Sequence, residues 1–381
     1  MGVKPGYKQT EMGVIPEDWT VTTVGREFSI QLGKMLDSEK NVGVPKPYLG
    51  NRAVQWGSID LDALGLLKMT PSDLQRYRLQ EGDLLVCEGG EIGRAAIWRQ
   101  PIPECYYQKA LHRLRPIRGY NVIFMLSVLH RWASTGFLLD FVTQTSIAHL
   151  PKEKFEKVPL PLPPTRTEQD AVANALTDAD ILIESLEQLI AKKRRVREGA
   201  MQELLRAKDG WNMRRVFSIA PLQRGFDLPN QRLKKGPNPV VYSNGVLNYH
   251  EQFMVKAPGV ITGRSGTLGV VQFIAQDFWP HNTTLWVTDF RGNDPKFIYY
   301  LYCQIGFERF GTGSGVPTLN RNDVHDFTVS IPNDLTEQQR IVAVLSDMDA
   351  EIAALEAKLA KARQIKQGMM QNLLTGMIRL I

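Results

Sequence analysis

The sequence predicts an α+β protein. Two α/β domains alternate with two long helices, and the helices pair as an antiparallel coiled coil within an internal repeat of pseudo-two-fold character. Three observations predict this. The 381 residues exceed what one ordinary core organises. Thr167-Glu168-Gln169 returns as Thr336-Glu337-Gln338, and residues 167–205 match 336–374 at 17 of 39 positions without a gap. The segments before these copies repeat only loosely. Trp19 and Trp211 each open a block reaching Val24/Val216 and Gly33/Gly225, and Gly90-x-x-Gly93 returns as Gly266-x-x-Gly269. A composition of 43% hydrophobic and 23% charged residues is that of an ordered globular chain.

The elements follow in order as four segments: 1–165, 166–208, 209–332 and 333–381. The first and third are α/β domains, because short apolar runs such as Leu84-Leu85 and Val260-Ile261 lead into glycine turns. The second and fourth are helical. Neither holds a proline after its entry (Pro159, Pro161, Pro163 and Pro164 in one, Pro332 in the other), and both are rich in Ala, Leu, Glu, Lys and Gln. Apolar residues step by three and four through Leu176, Ala179, Ile183, Leu186 and Ile190, and through Leu345, Met348, Ile352, Leu355 and Leu359. That is the 3.5-residue period of a coiled-coil seam, which nominates Leu176, Ile183, Leu186, Ile190, Leu345, Ile352, Leu355 and Leu359 as helix-pairing residues. The seam then meets Lys193 and Arg197 in one copy and Lys366 in the other, where charge fixes register or marks a docking partner. Gly199 and Gly368 are expected to break the far ends. The first helix is acidic early (Asp178, Asp180, Glu184, Glu187) and basic late (Lys192 to Arg197), which suits antiparallel packing of acidic against basic halves.

Charge and cysteine usage narrow the function classes. The formal net charge is +6; both helical segments are neutral, and the excess divides as +3 and +3 between the two domains. A polyanion such as DNA would therefore be met by the domains. The 3 cysteines lack a C-x-x-C pair, which fits a reducing cytoplasm and no disulfide framework. No apolar run is long enough for a membrane span, and no secretory signal opens the chain. A phosphate-loop motif, an amino-methyltransferase Asn/Asp-Pro-Pro-Tyr/Phe run and a metal-ligand spacing of the six histidines are not found, so no catalytic, cofactor-binding or metal residue is assigned. Gly311-Thr312-Gly313-Ser314-Gly315 reads as a loop, or as a backbone nest for a phosphate.

Loop-like stretches in both domains mix arginine, amide and aromatic side chains. Arg and Lys pair with guanine edges, Asn and Gln with adenine, and Glu accepts from cytosine. The candidates for DNA contact are Lys34, Arg52, Gln55, Trp56, Glu88, Arg94, Tyr107, Gln108 and Lys109 in the first domain. In the second they are Arg224, Asn244, Arg264, Ser265, His281, Asn282 and Thr283. The same residues also read as hydrated loop positions, with Trp56 in the core.

Together these residues resemble the specificity subunit of a type I restriction–modification enzyme, over nearly the whole chain. The opening Tyr7-Lys8-Gln9-Thr10-Glu11-Met12-Gly13-Val14-Ile15-Pro16-Glu17-Asp18-Trp19 is similar to that family's N-terminus. Leu160-Pro161-Leu162-Pro163-Pro164 before Thr167-Glu168-Gln169 is similar to its helix entry, and Gln202-x-Leu204-Leu205 and Gln371-x-Leu373-Leu374-Thr375-Gly376 to its helix ends. The second entry, Ser330-Ile331-Pro332-Asn333-Asp334, has one proline where the first has four. The resemblance implies two target-recognition domains, each reading half of a bipartite double-stranded DNA sequence, roughly one helical turn apart. It implies a non-catalytic, cytoplasmic subunit whose helices dock partners. Two modification subunits would bring S-adenosylmethionine, and two motor–nuclease subunits would bring ATP and Mg. The alternative is a coiled-coil DNA-binding scaffold or repressor acting without a methyltransferase.

Overall fold

The computed structural model describes residues 4–37, 41–143, 148–312 and 317–381. The chain forms two compact units, one of Met1–Ser185 with Leu359–Ile381, the other of Leu186–Lys358. Each unit holds one sheet-containing domain and stretches of both long helices. The units thus divide the helices in mid-length rather than at residues 165, 208 and 332.

The first unit is built on an antiparallel sheet in the order Phe28–Leu32, Leu111–Pro116, Leu84–Cys87, Ala95–Ile97. Leu84–Cys87 reads as an unbroken apolar run because both of its faces are covered. Leu84 and Val86 face a core shared with the helix Val122–Thr135, whereas Leu85 and Cys87 face a second core with Leu49, Trp98 and Tyr107. That is the two-residue alternation of a strand buried on both sides. The helix buries Phe124, Met125, Val128, Leu129 and Trp132, one stripe of a 3.6-residue period. It starts where the Asn121 side chain accepts the N–H groups of Ile123 and Phe124, and stops at Gly136 with φ 73°. A smaller sheet in the order Gly65–Met69, Val44–Leu49, Tyr106–Tyr107 closes the second core.

The second unit repeats the plan. Its sheet runs Leu222–Arg224, Thr284–Val287, Gly259–Gly263, Val271–Ile274. Val260 belongs to the core shared with the helix Pro295–Ile305, and its neighbour Ile261 to the core on the opposite face. Asp294 caps that helix through the N–H groups of Lys296 and Phe297, Pro295 fills its first position, and Gly306 ends it at φ 66°. A smaller sheet orders Gly245–His250, Asn238–Tyr242 and Trp279–Pro280.

The long helices span Arg166–Leu204 and Leu335–Leu373, 39 residues each. Thr165 Oγ1 accepts the Glu168 N–H at 3.1 Å, and Asp334 Oδ1 accepts the Thr336 N–H at 2.8 Å, which satisfies a free donor at each start. The hydrogen bond from Thr336 also holds the Asp334 carboxyl below its ordinary range. The helices run through Gly199 and Gly368 without a break, contrary to expectation. A single glycine costs only about 1 kcal/mol in a helix otherwise held by packing.

Within each unit the two helices are antiparallel. In the first, Lys366 pairs with Asp180, and Arg379, just past the helix end, pairs with the buried Glu168 at 2.5 Å. In the second, Lys193 meets Glu351 at 2.7 Å, Arg194 meets Glu356 at 2.5 Å, Arg197 meets Asp349 at 2.9 Å and Lys208 meets Glu337 at 3.5 Å. The basic late half of one helix thus lies on the acidic early half of the other. Of the seam residues, Leu176, Leu186, Ile190, Leu345 and Ile352 are buried, while Ile183, Leu355 and Leu359 are half-buried. Leu176 and Leu345 also join the domain cores.

Among the described residues, no helix is long and apolar enough to cross a membrane. In the run 311–315, Gly311–Thr312 pairs with Thr318–Leu319, whereas Gly313, Ser314 and Gly315 lie outside the described residues.

Candidate nucleic-acid interface

In each unit the central buried strand runs into its Gly-x-x-Gly turn. Gly90 (φ 74°), Gly93 (φ 83°), Gly266 (φ 84°) and Gly269 (φ 81°) all adopt left-handed backbone, where a side chain is strained. Two residues before the first glycine stand Glu88 and Arg264, held by the same bonds. The Glu88 N–H donates to Ala110 O at 3.0 Å, and its carbonyl accepts from the Leu150 N–H at 2.8 Å. The Arg264 N–H donates to Thr283 O at 2.8 Å, and its carbonyl accepts from the Leu319 N–H at 2.7 Å. Glu88 and Arg264 are therefore one structural position in two domains.

Neighbouring segments coincide too. Lys34 N–H donates to Tyr107 O at 3.0 Å, and Phe226 N–H to Pro280 O at 2.8 Å. Gly33 and Gly225 pack so closely on the next carbonyls, of Gln108 and His281, that a side chain would collide with them. Gln108 N–H donates to Leu49 O at 3.0 Å, as His281 N–H donates to Val241 O at 2.9 Å. Counting on from these bonds makes Gln108 equivalent to His281, Lys109 to Asn282, and Arg52 to Asn244. Each domain thus gathers three loops at one end of its sheet, on a shared backbone with different side chains.

Within these clusters the candidates divide by what their side chains already do. Tyr107 is fully buried, and burial pushes its phenol well above the usual range. Trp56 packs against the first core, stacks on His130 with ring centres 4.6 Å apart, and donates to Glu91 at 2.5 Å. Lys34 is held by Asp73 at 2.8 Å. Arg94 is 16% exposed in its side chain, donates to Asn51 O at 2.9 Å and pairs with Glu91 at 3.3 Å. These four brace the domain. Gln55, exposed, donates to Arg52 O at 2.7 Å.

Others are available. Arg52 and Lys109 are exposed and Gln108 half-buried. Glu88 and Arg264 are half-buried, and neither side chain has an ion pair or hydrogen bond among the described residues. Burial raises the Glu88 carboxyl above its ordinary value against the opposing charges of His149 and Lys109. In the second domain Asn244 is exposed in a turn. Arg224 pairs with Asp227 at 3.2 Å, and Asn282 donates to the same carboxylate. His281 stacks on Tyr242 with ring centres 4.3 Å apart, and its Nδ1 lies 3.1 Å from Thr283 Oγ1. Burial lowers its imidazole below the usual value, favouring the neutral ring. Ser265 bridges Thr318 through its backbone.

Sequence reasoning missed Asn51, whose carbonyl receives Arg94 and whose amide donates to Gly89 O at 3.1 Å, and it missed Tyr242 beneath His281. The two candidate arginines are not equivalent, since Arg94 lies after its turn and Arg264 before. The spacing to the repeated glycines was the signal that pairs Glu88 with Arg264.

Known proteins agree with this duplicated plan. The chain is 23% identical to the protein assigned as the type I restriction enzyme MjaX specificity subunit of Methanocaldococcus jannaschii, covering 98% of this chain and 96% of that one. It is 21% identical to the type I restriction enzyme MjaVIII specificity subunit of the same organism, covering 96% and 94%. Its fold is similar to the type I restriction–modification S subunit from M. genitalium, with TM-score 0.64 at 15% identity over 97% of this chain and 99% of that one. A second structure, from work on complex assembly and conformational transition of the type I R-M system, gives TM-score 0.60 at 14% identity over 96% and 99%. The type I restriction modification DNA specificity domain matches twice, over residues 16–192 and 208–364. With two such domains the chain belongs to the family of type I restriction–modification specificity subunits, whose business is recognition of a DNA sequence.

Proposed function

We propose that each domain reads one half of a bipartite double-stranded DNA target, and that the paired helices dock modification subunits that methylate it. The chain itself then performs no chemistry. S-adenosylmethionine would sit on two modification subunits, and ATP and Mg on two motor–nuclease subunits, in the cytoplasm. The observation that carries this reading is the pair of equivalent loop clusters, Arg52, Glu88, Gln108 and Lys109 against Asn244, Arg264, His281 and Asn282. One backbone frame presents two different hydrogen-bonding surfaces, as two different half-sites require. A scaffold or repressor without a methyltransferase is not favoured, because both family matches extend into the helices.

The test is exchange of residues 20–158 for the corresponding domain of a relative, in cells co-expressing a modification subunit. Single-molecule sequencing should show one half of the methylated motif changed, the other half and the spacer retained. Two altered halves, or none, would refute the two-reader model.

A further inference from the structure

The two domains differ most sharply in charge at the position before the glycine turn. Glu88 and Arg264 share their backbone bonds, to Ala110 and Leu150 in one domain and to Thr283 and Leu319 in the other. The first offers only acceptors and the second only donors. Both stand half-buried at the loop end of the sheet, and neither side chain has a hydrogen bond or ion pair among the described residues, although the charges of His149 and Lys109 act on Glu88. A half-buried charged group without a hydrogen-bonding partner is costly to keep, unless a ligand completes it. Around each, the frame is rigid: the left-handed glycines set the turn, and the packed Gly33 and Gly225 bring the Gln108 and His281 loops alongside. Of the other equivalent pairs, Lys34 with Phe226 and Gln108 with His281 are also both half-buried, but Lys34 is held by Asp73 and His281 is engaged by Tyr242 and Thr283.

Resting on the two-reader function above, we propose that Glu88 and Arg264 are the specificity-determining residues of one shared reading position. Glu88 accepts from the exocyclic amino group of a cytosine in the first half-site, and Arg264 donates to O6 and N7 of a guanine in the second. The pairing follows the major-groove pattern, in which a carboxylate matches the cytosine N4 donor and a guanidinium matches the two guanine acceptors. A wrong base leaves the charge desolvated and unpaired, so this position discriminates more than an exposed one such as Arg52.

The experiment uses the full chain with its modification subunit and compares wild type, Glu88→Gln and Arg264→Gln. Glu88→Gln keeps the side chain's length, Arg264→Gln shortens it, and neither removes a hydrogen bond or ion pair among the described residues, so unchanged thermal melting is expected. Methylome sequencing should show E88Q relaxed or shifted at one cytosine of the first half-site only, and R264Q at one guanine of the second only. Affinity for the wild-type duplex should fall roughly 10- to 100-fold. A DNA-side measurement needs no folding variant: 7-deazaguanine at the read guanine should weaken wild-type binding roughly 10-fold and leave R264Q unaffected. Folded variants that methylate the unaltered motif at the wild-type rate would overturn the assignment of these residues while leaving the two-reader model standing. A wild-type chain that directs no bipartite methylation would overturn both.

Discussion

Gln338 Oε1 accepts the backbone N–H of Asp294 at 2.9 Å, and in the other unit Gln169 Oε1 accepts that of Asn121 at 2.9 Å. Asp294 and Asn121 are the caps of the helices that cover each sheet. The repeated Thr-Glu-Gln is therefore a clamp between a long helix and the domain helix beside it. Gln169→Ala orphans a buried donor and Gln338→Ala a half-buried one, and each should cost about 1–3 kcal/mol, the second toward the lower end. Urea titration that found both variants as stable as wild type would remove the clamp.

The seam positions are not equal. Ile352 is buried and Ile183 half-buried. Ile352→Asp should strand a carboxylate in the seam and unfold or dissociate the helix pair, whereas Ile183→Asp should be milder because its carboxylate reaches water. Circular dichroism with thermal melting distinguishes them, and equal losses would contradict the burial seen here.

Arg94 and Arg264 should behave differently although both are arginines beside a Gly-x-x-Gly turn. Arg94→Ala removes the donor to Asn51 O and the partner of Glu91, so it should lower stability by roughly 1–3 kcal/mol and leave the methylated motif intact. Arg264→Ala should leave the melting temperature nearly unchanged and alter the second half-site. A reversed pattern would exchange their assignments.

Arg197 sits on a charged part of the seam. It pairs with Asp349 at 2.9 Å and lies 5.6 Å from the Tyr300 ring centre, while the Tyr300 hydroxyl donates to Asp349 at 2.7 Å. The arginine is largely shielded from water, so Arg197→Ala should cost roughly 1–3 kcal/mol and depend little on salt. The more exposed pair Lys193–Glu351 should contribute about 0–1 kcal/mol and weaken as salt rises. Double-mutant cycles at two ionic strengths check both.

Acid should affect the two half-sites unequally. Burial raises the Glu88 carboxyl, with Glu153 adding to the rise and His149 and Lys109 opposing it. A raised carboxyl keeps its acceptor charge at high pH and loses it, as pH falls, sooner than an ordinary glutamate. Discrimination at the first half-site should therefore fade on acidification through this raised value, and E88Q should show no such fade. Binding to base-substituted duplexes across pH measures it.

Much of this protein is determined by its sequence alone, because helical period and repetition are local properties. The 3.5-residue spacing of Leu176 to Ile190 and Leu345 to Leu359, with the matched Thr-Glu-Gln entries, identifies two pairing helices and hence two similar domains. The polarity of the first helix also foretells the antiparallel contacts of Arg197 with Asp349 and Lys193 with Glu351. What only the tertiary structure decided is which polar side chains the fold consumes. Arg94, Lys34, Trp56 and Tyr107 look like Arg52, Arg264 and Lys109 in sequence. Yet the first four are taken up by Asn51, Asp73, Glu91 and the core, contacts between residues 35 to 43 positions apart in the pairs that define them. Likewise the equivalence of Glu88 with Arg264 rests on strand pairing across loops of unequal length. A side chain's freedom to bind depends on neighbours brought by folding, and no local pattern records them.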